Sequence, residues 1–546
     1  MDFALTTLSR ADTSALPSGP ARIASANWRA PLFIAACALL VRLLADVVVD
    51  PVASGDEAIT GLMARHILLF GERPYFYYGQ DYLGSFESYV TAGFFALFGF
   101  STAVLRLTPL LFFSGYVLLN GWLGGRLAGP RAGVAAAVLA ALGTPLIQYQ
   151  AHMAFGGSGA ELLFLGTAQL ALALRLADRE RRLDRRDYPL LLACGVVIGF
   201  SLWIHFLVAV YTLAAALYVA GRRWRRLIGD LPAYALGALG LPLGFAPALL
   251  WNAQNGWRSF AFLSFILGGS GSAAGGEPLL TSAKLAIIMG EGLVAALGAR
   301  NDWDLWLAVP WETALPLLSG ALVFFYALAL GVWLASRLRQ AAWRRSQPAD
   351  LVALVAVLNL LAFLPLSFGP EGPIVRYLLP LSGVLPLAAV WFLEKTLARR
   401  RWLYGLGIGL LLLNNGYFAA ASLTSGTLYP TRALASWLES AGLTRVYAGY
   451  WIAYPLDFAS QERIIASPAH TRVDVDALID MDRYQAYTEL LENAQDPAFV
   501  FDRRLAAGRI FAQRLAGHGI AYQVDVVADR FLVFHCFSAN PRGVAI

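Results

Sequence analysis

The chain of 546 residues reads as a polytopic α-helical membrane protein of about 11 transmembrane helices, with amphipathic outer-loop helices and a small C-terminal soluble α+β domain. Three observations predict this. Hydrophobic residues make up 58% and charged residues only 14%, where a soluble chain carries about a quarter charged. Apolar windows long enough to cross a bilayer recur through the chain, and its last part alternates charged residues with short β-like runs. The same figures exclude a disordered chain, a collagen and a disulfide scaffold. The formal charge of +6 is no nucleic-acid signature: Lys284 and Lys395 are the only lysines, and the arginines sit in short runs between apolar segments. The bilayer is therefore the expected partner and nucleic acid is not. Cys37, Cys194 and Cys536 lie too far apart in sequence to read as a framework.

Residues 1–30 are polar, carry Arg10, Arg22 and Arg29, and lack the short apolar core and cleavage site of a secretory signal. They read as a cytoplasmic tail. A hydrocarbon core of about 30 Å needs roughly 20 apolar residues per helix. Windows that meet this fall at 31–49, 103–124, 132–150, 160–177, 231–250, 313–336, 350–368, 377–394 and 403–422. The stretch 189–220 is too long for one helix, and arginines flank both of its ends (Arg181 to Arg186; Arg222 to Arg226). Matching basic flanks require an even number of crossings, so two short helices broken near His205 are expected. Every arginine cluster then falls on one side, with the N-terminus cytoplasmic. Residues 31–422 form the membrane domain, with loops 50–102 and 251–312 outside, and residues 423–546 form the outer domain, carrying β-like runs such as Arg445–Tyr450 and Tyr522–Val527. Such a layout fits the inner membrane of a bacterium, with the last domain in the periplasm.

The first outer loop holds the densest polar pattern. Ser54-Gly55-Asp56-Glu57 has the spacing of a capping box, so a helix is expected to start there. Ile59, Leu62, Met63, Ile67 and Phe70 make one apolar stripe at helical spacing, which predicts an amphipathic helix on the outer membrane surface. Phe86, Tyr89, Val90, Phe94 and Leu97 predict a second. Glu57 has a plain reading as the capping acid, and Asp56 as an acid favoured by the helix dipole. Yet Asp56 stands at a water–lipid boundary beside Tyr75, Tyr77, Tyr78, Gln80 and Tyr82. Aromatics with carboxylates at that depth suit binding a sugar as well as an interfacial belt.

These residues resemble a family. Asp56-Glu57-Ala58 after the first span, Gly79-Gln80-x-Tyr82-x-Gly84-x-x-Glu87-x-Tyr89, then Phe98-Gly99 and Arg106, are similar to the GT-C superfamily of integral-membrane glycosyltransferases. The likeness continues through Gly156-Gly157-x-x-x-Glu161, Trp251-Asn252, Arg376-Tyr377-Leu378-Leu379-Pro380 and Tyr450-Trp451-Ile452-Ala453-Tyr454. It points to the protein O-mannosyltransferase and lipid A aminoarabinose transferase branches, which use polyprenyl-phosphate sugars. The resemblance implies transfer with inversion to a glycan, lipid or protein acceptor. Asp56 would be the base, Glu57 and Glu161 the accompanying acids, and Tyr78, Gln80, Tyr82, Glu87, Asn252, Arg376 and Tyr377 the substrate contacts.

The chemistry sets matching demands. A polyprenyl phosphate is already a leaving group, so transfer needs a base for the nucleophile and positive charge for the departing phosphate. Arginine fits that phosphate better than lysine because its fork binds two oxygens. Arg376, after Gly369-Pro370-Glu371-Gly372-Pro373, is the candidate, against a simple pair with Glu371. Glu161 reads equally as a structural acid or as a second site carboxylate. Arg42 and Asp46, four apart on the first span, are expected to pair along one helix face, and His152 reads as an interfacial histidine. No cofactor is firmly implied; a divalent metal is compatible with acids beside a phosphate, but no ligand spacing demands one. Residues 268–276 followed by 282–297 read as a lid beside a lipid groove or as a surface loop, and Trp303, Trp306 and Trp311 as interface anchors. In the tail, His470 and His535 are isolated, and Asp474, Asp476, Asp480 and Asp482 read as a solvated face. The alternative class is a membrane transporter or lipid flippase, which would place charge along a mid-membrane path rather than cluster its acids at one surface.

Overall fold

A computed structural model describes residues 28–261, 292–298, 316–339, 347–366, 368–369, 372–373, 375–424, 429–468 and 482–544. Residues 268–276, the three tryptophans, Glu371, His470, Asp474, Asp476 and Asp480 lie outside the described residues.

Most apolar stretches became helices close to the expected bounds, but the expected single helices 132–150 and 231–250 are each split in two, into Pro130–Leu142 and Pro145–Gln150 and into Leu231–Gly244 and Ala246–Gln254. The first helix, α1 (Arg29–Val49), turns Phe33, Leu40, Val41, Leu44 and Val48 outward. It buries only Pro31, Ala35, Arg42 and Asp46 on one face, as a span should when lipid covers the rest. Next come α2 (Gly55–Phe70), a hairpin of β1 (Phe76–Tyr77) and β2 (Gln80–Gly84), and α3 (Phe86–Phe98). Then follow α4 (Thr102–Ala128), α5 (Pro130–Leu142), α6 (Pro145–Gln150), α7 (Ala160–Ala177), α8 (Tyr188–Ile204), α9 (Ala209–Arg222), α10 (Leu231–Gly244) and α11 (Ala246–Gln254). Four more apolar helices cover Pro316–Arg339, Pro348–Leu366, Leu379–Leu397 and Arg401–Thr424.

The break at His205 is where it was expected. The residue is extended (φ −160°, ψ 125°), and its Nδ1 accepts a hydrogen bond from the Leu207 amide at 3.0 Å, capping the next turn. Seven described helices are long and apolar enough to cross a membrane, or eight if α10 and α11, bent by 57°, form one span. The expected eleven is therefore reached only by counting three of the four described apolar helices of 10–17 residues, Phe86–Phe98, Pro130–Leu142, Phe206–Arg222 and Pro348–Phe363. Helix α8 lies directly on α10 because both present glycine: a Cβ on Gly195 would sit 1.9 Å from the Gly237 carbonyl oxygen. Small residues of this kind let apolar helices make backbone contact where lipid supplies no hydrophobic drive.

Strands β3 (Phe368–Gly369) and β4 (Gly372–Pro373) form a short hairpin, and the C-terminal region is a five-stranded mixed sheet. Strands β5 (Arg445–Ala448), β6 (Ile465–Ser467) and β7 (Ala498–Asp502) are parallel, and β9 (Phe531–His535) and β8 (Gln523–Val527) complete it antiparallel. The crossover helix Tyr450–Ala459 packs on α2. Tyr450, Tyr454 and Phe458, four apart, join Ile59, Leu62, Met63 and Tyr77 in one core. The stripe of α2 is thus covered largely by protein, not lipid, which corrects the expected surface-lying helix; its end at Leu68 to Phe70 stays exposed. Helix α3 does leave Leu97 and Phe98 exposed.

Candidate functional site

The capping box exists. Ser54 Oγ accepts from the Glu57 amide at 3.5 Å, and Glu57 Oε2 accepts from the Ser54 amide at 3.1 Å. Glu57 is fully buried and held by Arg106, whose Nε donates to Oε1 at 2.8 Å and Nη2 to Oε2 at 3.0 Å. Arg106 Nη1 donates to Asp46 Oδ1 at 2.8 Å, and that same oxygen meets His152 Nε2 at 3.0 Å. Arg42 turns away from Asp46 to Gln148 Oε1 and His152 Nδ1, with its guanidinium 4.3 Å from the centre of the Phe113 ring. The expected Arg42–Asp46 pair along α1 is therefore replaced by a network across four helices, α1, α2, α4 and α6, and His152 is a buried member of it. A buried charge is tolerable only when paired in this way. The network anchors the start of α2 to α1 and α4.

Asp56, one residue earlier, points the other way and is half-buried. Its backbone carbonyl accepts from the Tyr77 hydroxyl and, at 3.5 Å, from Thr60 Oγ1. Its side-chain Oδ1 accepts from the Tyr450 hydroxyl at 2.5 Å. Arg483 lies with its guanidinium 5.6 Å from the Tyr450 ring centre. Burial lowers the proton affinity of Arg483, but Tyr450, Tyr77 and Asp56 outweigh that and hold it as a cation. The Gln80 amide, turned to satisfy its neighbours, accepts from Arg483 Nη2 at 3.0 Å and from Tyr82 Oη at 3.3 Å.

Tyr82 connects the two ends of the proposed chemistry. Burial raises its pKa first, Tyr377 raises it further, Arg376 and Arg483 lower it, and Asp56 raises it again. One phenol thus lies within electrostatic reach of the Asp56 carboxylate and of both guanidinium groups. Arg376 is exposed in the turn Val375–Leu378, and Tyr377 beside it is half-buried. Tyr149 and His205 also lie within reach of Arg376.

The remaining expected site residues sort differently. Glu87 is buried at the start of α3, where Oε2 accepts from the Gly157 amide at 2.9 Å. Burial pushes its carboxyl up to about 8 against those backbone bonds, aided by the Glu57 charge. Glu161 is buried beside it, and among the described residues neither of its oxygens has a hydrogen-bond partner. A Cβ on Gly157 would meet Glu161 Oε2 at 2.8 Å. Asn252 is fully buried and has its own partners: Nδ2 donates to Ala248 O at 2.9 Å and Ser259 Oγ at 3.1 Å, and Oδ1 accepts from the Ser259 amide. Ser259 in turn binds Asp81 O, so Asn252 ties the end of α11 to the hairpin. Tyr78 lies apart from Asp56, stacked at 4.8 Å on Tyr484 and bonded to Glu72 and His66. Asp482 accepts from the Tyr484 amide at 3.1 Å and from Thr488 Oγ1 at 2.6 Å, so it is tied into the fold rather than part of a solvated face. His535 is not isolated; it pairs with Asp525 at 2.7 Å.

Tyr450 and Arg483 have no role in the sequence reading, although both stand beside Asp56. Tyr450 opened a recognisable tail motif, and its four-residue spacing to Tyr454 marks a helix face. Arg483 follows no signal, because it sits on a loop that folding alone brings to Gly79. Among the described residues no group of three or more His, Cys, Asp or Glu side chains could hold a metal ion.

Residues 86–251 match the family model described as dolichyl-phosphate-mannose-protein mannosyltransferase. No curated protein is similar enough in sequence to register as a match. Among solved structures, the chain resembles ArnT from Cupriavidus metallidurans bound to undecaprenyl phosphate, with 16% identity, 94% of this chain and 98% of that one covered, and a TM-score of 0.58. It also resembles the Archaeoglobus fulgidus oligosaccharyltransferase in the apo form, with 14% identity, 88% and 71% covered, and a TM-score of 0.51. A third is AglB from Archaeoglobus fulgidus in complex with an inhibitory peptide and a dolichol-phosphate, with 15% identity, 88% and 71% covered, and a TM-score of 0.50. The chain is a polytopic membrane protein that shares the fold of ArnT and the archaeal oligosaccharyltransferase, and its residues 86–251 match the model of the protein mannosyltransferase family.

Proposed function

We propose that this chain is an inverting glycosyltransferase that moves a hexosyl or pentosyl group from a polyprenyl phosphate to a glycan, lipid or protein acceptor. In this reading the reaction runs at the periplasmic face of a bacterial inner membrane, with the N-terminus cytoplasmic and residues 423–546 outside. Asp56 takes the proton from the acceptor hydroxyl or amine. The acceptor atom bonds to the anomeric carbon on the face opposite the phosphate. The bond from carbon to phosphate oxygen breaks, and its electron pair leaves on the phosphate, where Arg376 meets the developing charge.

The observation that carries the reading is the polar cluster at Asp56: its Oδ1 accepts from the Tyr450 hydroxyl at 2.5 Å, the Arg483 guanidinium lies 5.6 Å from the centre of that ring, and Gln80 accepts from Arg483 at 3.0 Å and from Tyr82 at 3.3 Å. A carboxylate with a guanidinium beside it supports a base and a cation acting at one half-buried hairpin. Undecaprenyl phosphate and dolichol-phosphate in the similar structures agree with a lipid-phosphate donor. The test compares purified wild type with Asp56→Asn, supplied with undecaprenyl-phosphate sugars. A lost general base costs roughly 10²–10⁴ in turnover. Equal sugar transfer by the two proteins removes Asp56 from the mechanism.

A further inference from the structure

We infer that Tyr450, delivered by the C-terminal sheet region, is a positioning residue of the transfer site: it holds one oxygen of the Asp56 carboxylate so that the other faces the acceptor. This rests on the reading of Asp56 as the base. The observation is geometric. The Tyr450 hydroxyl donates to Oδ1 at 2.5 Å across 394 residues of sequence, while among the described residues no group hydrogen-bonds Oδ2.

Three features make the contact a built one. The Tyr450 ring is 7% exposed and held edge-on by Trp451 at 5.0 Å and Tyr454 at 5.2 Å. Tyr450 also presses on the first residue of α2, where a Cβ on Gly55 would meet its Cε1 at 2.8 Å. The Asp56 backbone is separately fixed by Tyr77. A carboxylate at the N-terminus of a helix otherwise turns freely about χ2; here backbone and one oxygen are both tied. Burial, then the Asp56 and Tyr77 charges, raise the Tyr450 pKa far more than Arg483 lowers it, so the phenol keeps its proton and stays the donor.

A hydrogen bond to a carboxylate is among the stronger ones, and a base misplaced by a fraction of an ångström loses rate rather than binding. Tyr450→Phe keeps the ring and removes only the hydroxyl. Turnover of an undecaprenyl-phosphate sugar, read as released undecaprenyl phosphate, is expected to fall roughly tenfold to a hundredfold. The donor and acceptor KM values and the melting temperature should stay unchanged. Asp56→Asn is run alongside. Wild-type kcat in Tyr450→Phe with Asp56→Asn inactive overturns the positioning role and leaves the base intact. A raised KM or a lowered melting temperature that accounts for the loss also overturns it, in favour of a packing role. Full activity in Asp56→Asn instead removes the underlying reading.

Discussion

The Arg106 guanidinium grips the Glu57 carboxylate through two hydrogen bonds of 2.8 and 3.0 Å, with both groups buried. Arg106 serves Asp46 as well, so Arg106→Ala strips the guanidinium from two buried carboxylates, leaving Asp46 only His152 and Glu57 only the Ser54 amide, whereas Glu57→Gln leaves Arg106 with Asp46. Breaking a buried pair costs about 3–5 kcal/mol. Arg106→Ala is therefore expected to lower the melting temperature in detergent strongly, and Glu57→Gln by less. The neighbouring acids of the Ser54 to Glu57 turn thus have separate duties: Glu57 fixes α2 and Asp56 faces the site. If Glu57→Gln abolished turnover with its melting temperature intact, Glu57 would belong to the chemistry.

His66 titrates against its burial. Its ring is 1% exposed, with Nε2 on Glu462 at 2.8 Å and Nδ1 on the Tyr78 hydroxyl at 3.0 Å. Glu72, Arg65, Tyr484 and Tyr487 complete the surrounding polar and charged groups. Burial pushes the ring down to about 4, opposed by Glu72 and reinforced by Arg65. The unfolded chain takes up this proton near 6.5 and the folded one near 4, so stability is full above 6.5 and is lost as pH falls towards 4. The ceiling is about 3 kcal/mol. Melting temperature should decline over that window in wild type and decline less in His66→Gln; parallel curves would exclude His66 as the titrating group.

Gly61 is the closest approach of α2 to the C-terminal helix: a Cβ there would lie 2.5 Å from Phe458 Cε2. Forcing a methyl into a filled site costs typically about 1–3 kcal/mol. Gly61→Ala should therefore lower both melting temperature and turnover, and Phe458→Leu in the same chain should recover part of each. Additive losses in the double variant would mean that the two residues do not share this contact.

Much of this architecture is legible from the amino acids because lipid imposes a length. The windows at 31–49, 160–177 and 403–422 and the break at His205 follow from apolar run length and basic flanks, and Ser54 to Glu57 announces its own helix start. What periodicity leaves open is the identity of the cover. The stripe Ile59, Leu62 and Met63 says that one face of α2 is buried, but lipid and Phe458 answer that demand equally well. Arg42 and Asp46 have the spacing of a pair, yet His152 and Arg106 offer each a better-placed partner from elsewhere in the chain. Tyr450 and Arg483 escaped for the same reason, since contacts between distant segments leave no local pattern.

Arg376 is exposed at the mouth of the site, so its removal should not disturb folding. Its proposed work is on the phosphate, where a fork of two N–H donors gives geometry that a lysine lacks. A charge-assisted hydrogen bond is worth about 1.5–3 kcal/mol, so Arg376→Ala should weaken undecaprenyl-phosphate binding roughly tenfold to a hundredfold. Arg376→Lys should fall between wild type and alanine, because it keeps the charge and loses the fork. The measurement is the donor KM, with direct undecaprenyl-phosphate affinity as its control, for all three proteins at matched melting temperature. An unchanged donor affinity in Arg376→Ala would move the phosphate elsewhere, and Arg483, the other cation within reach of Tyr82, would then be the residue to replace.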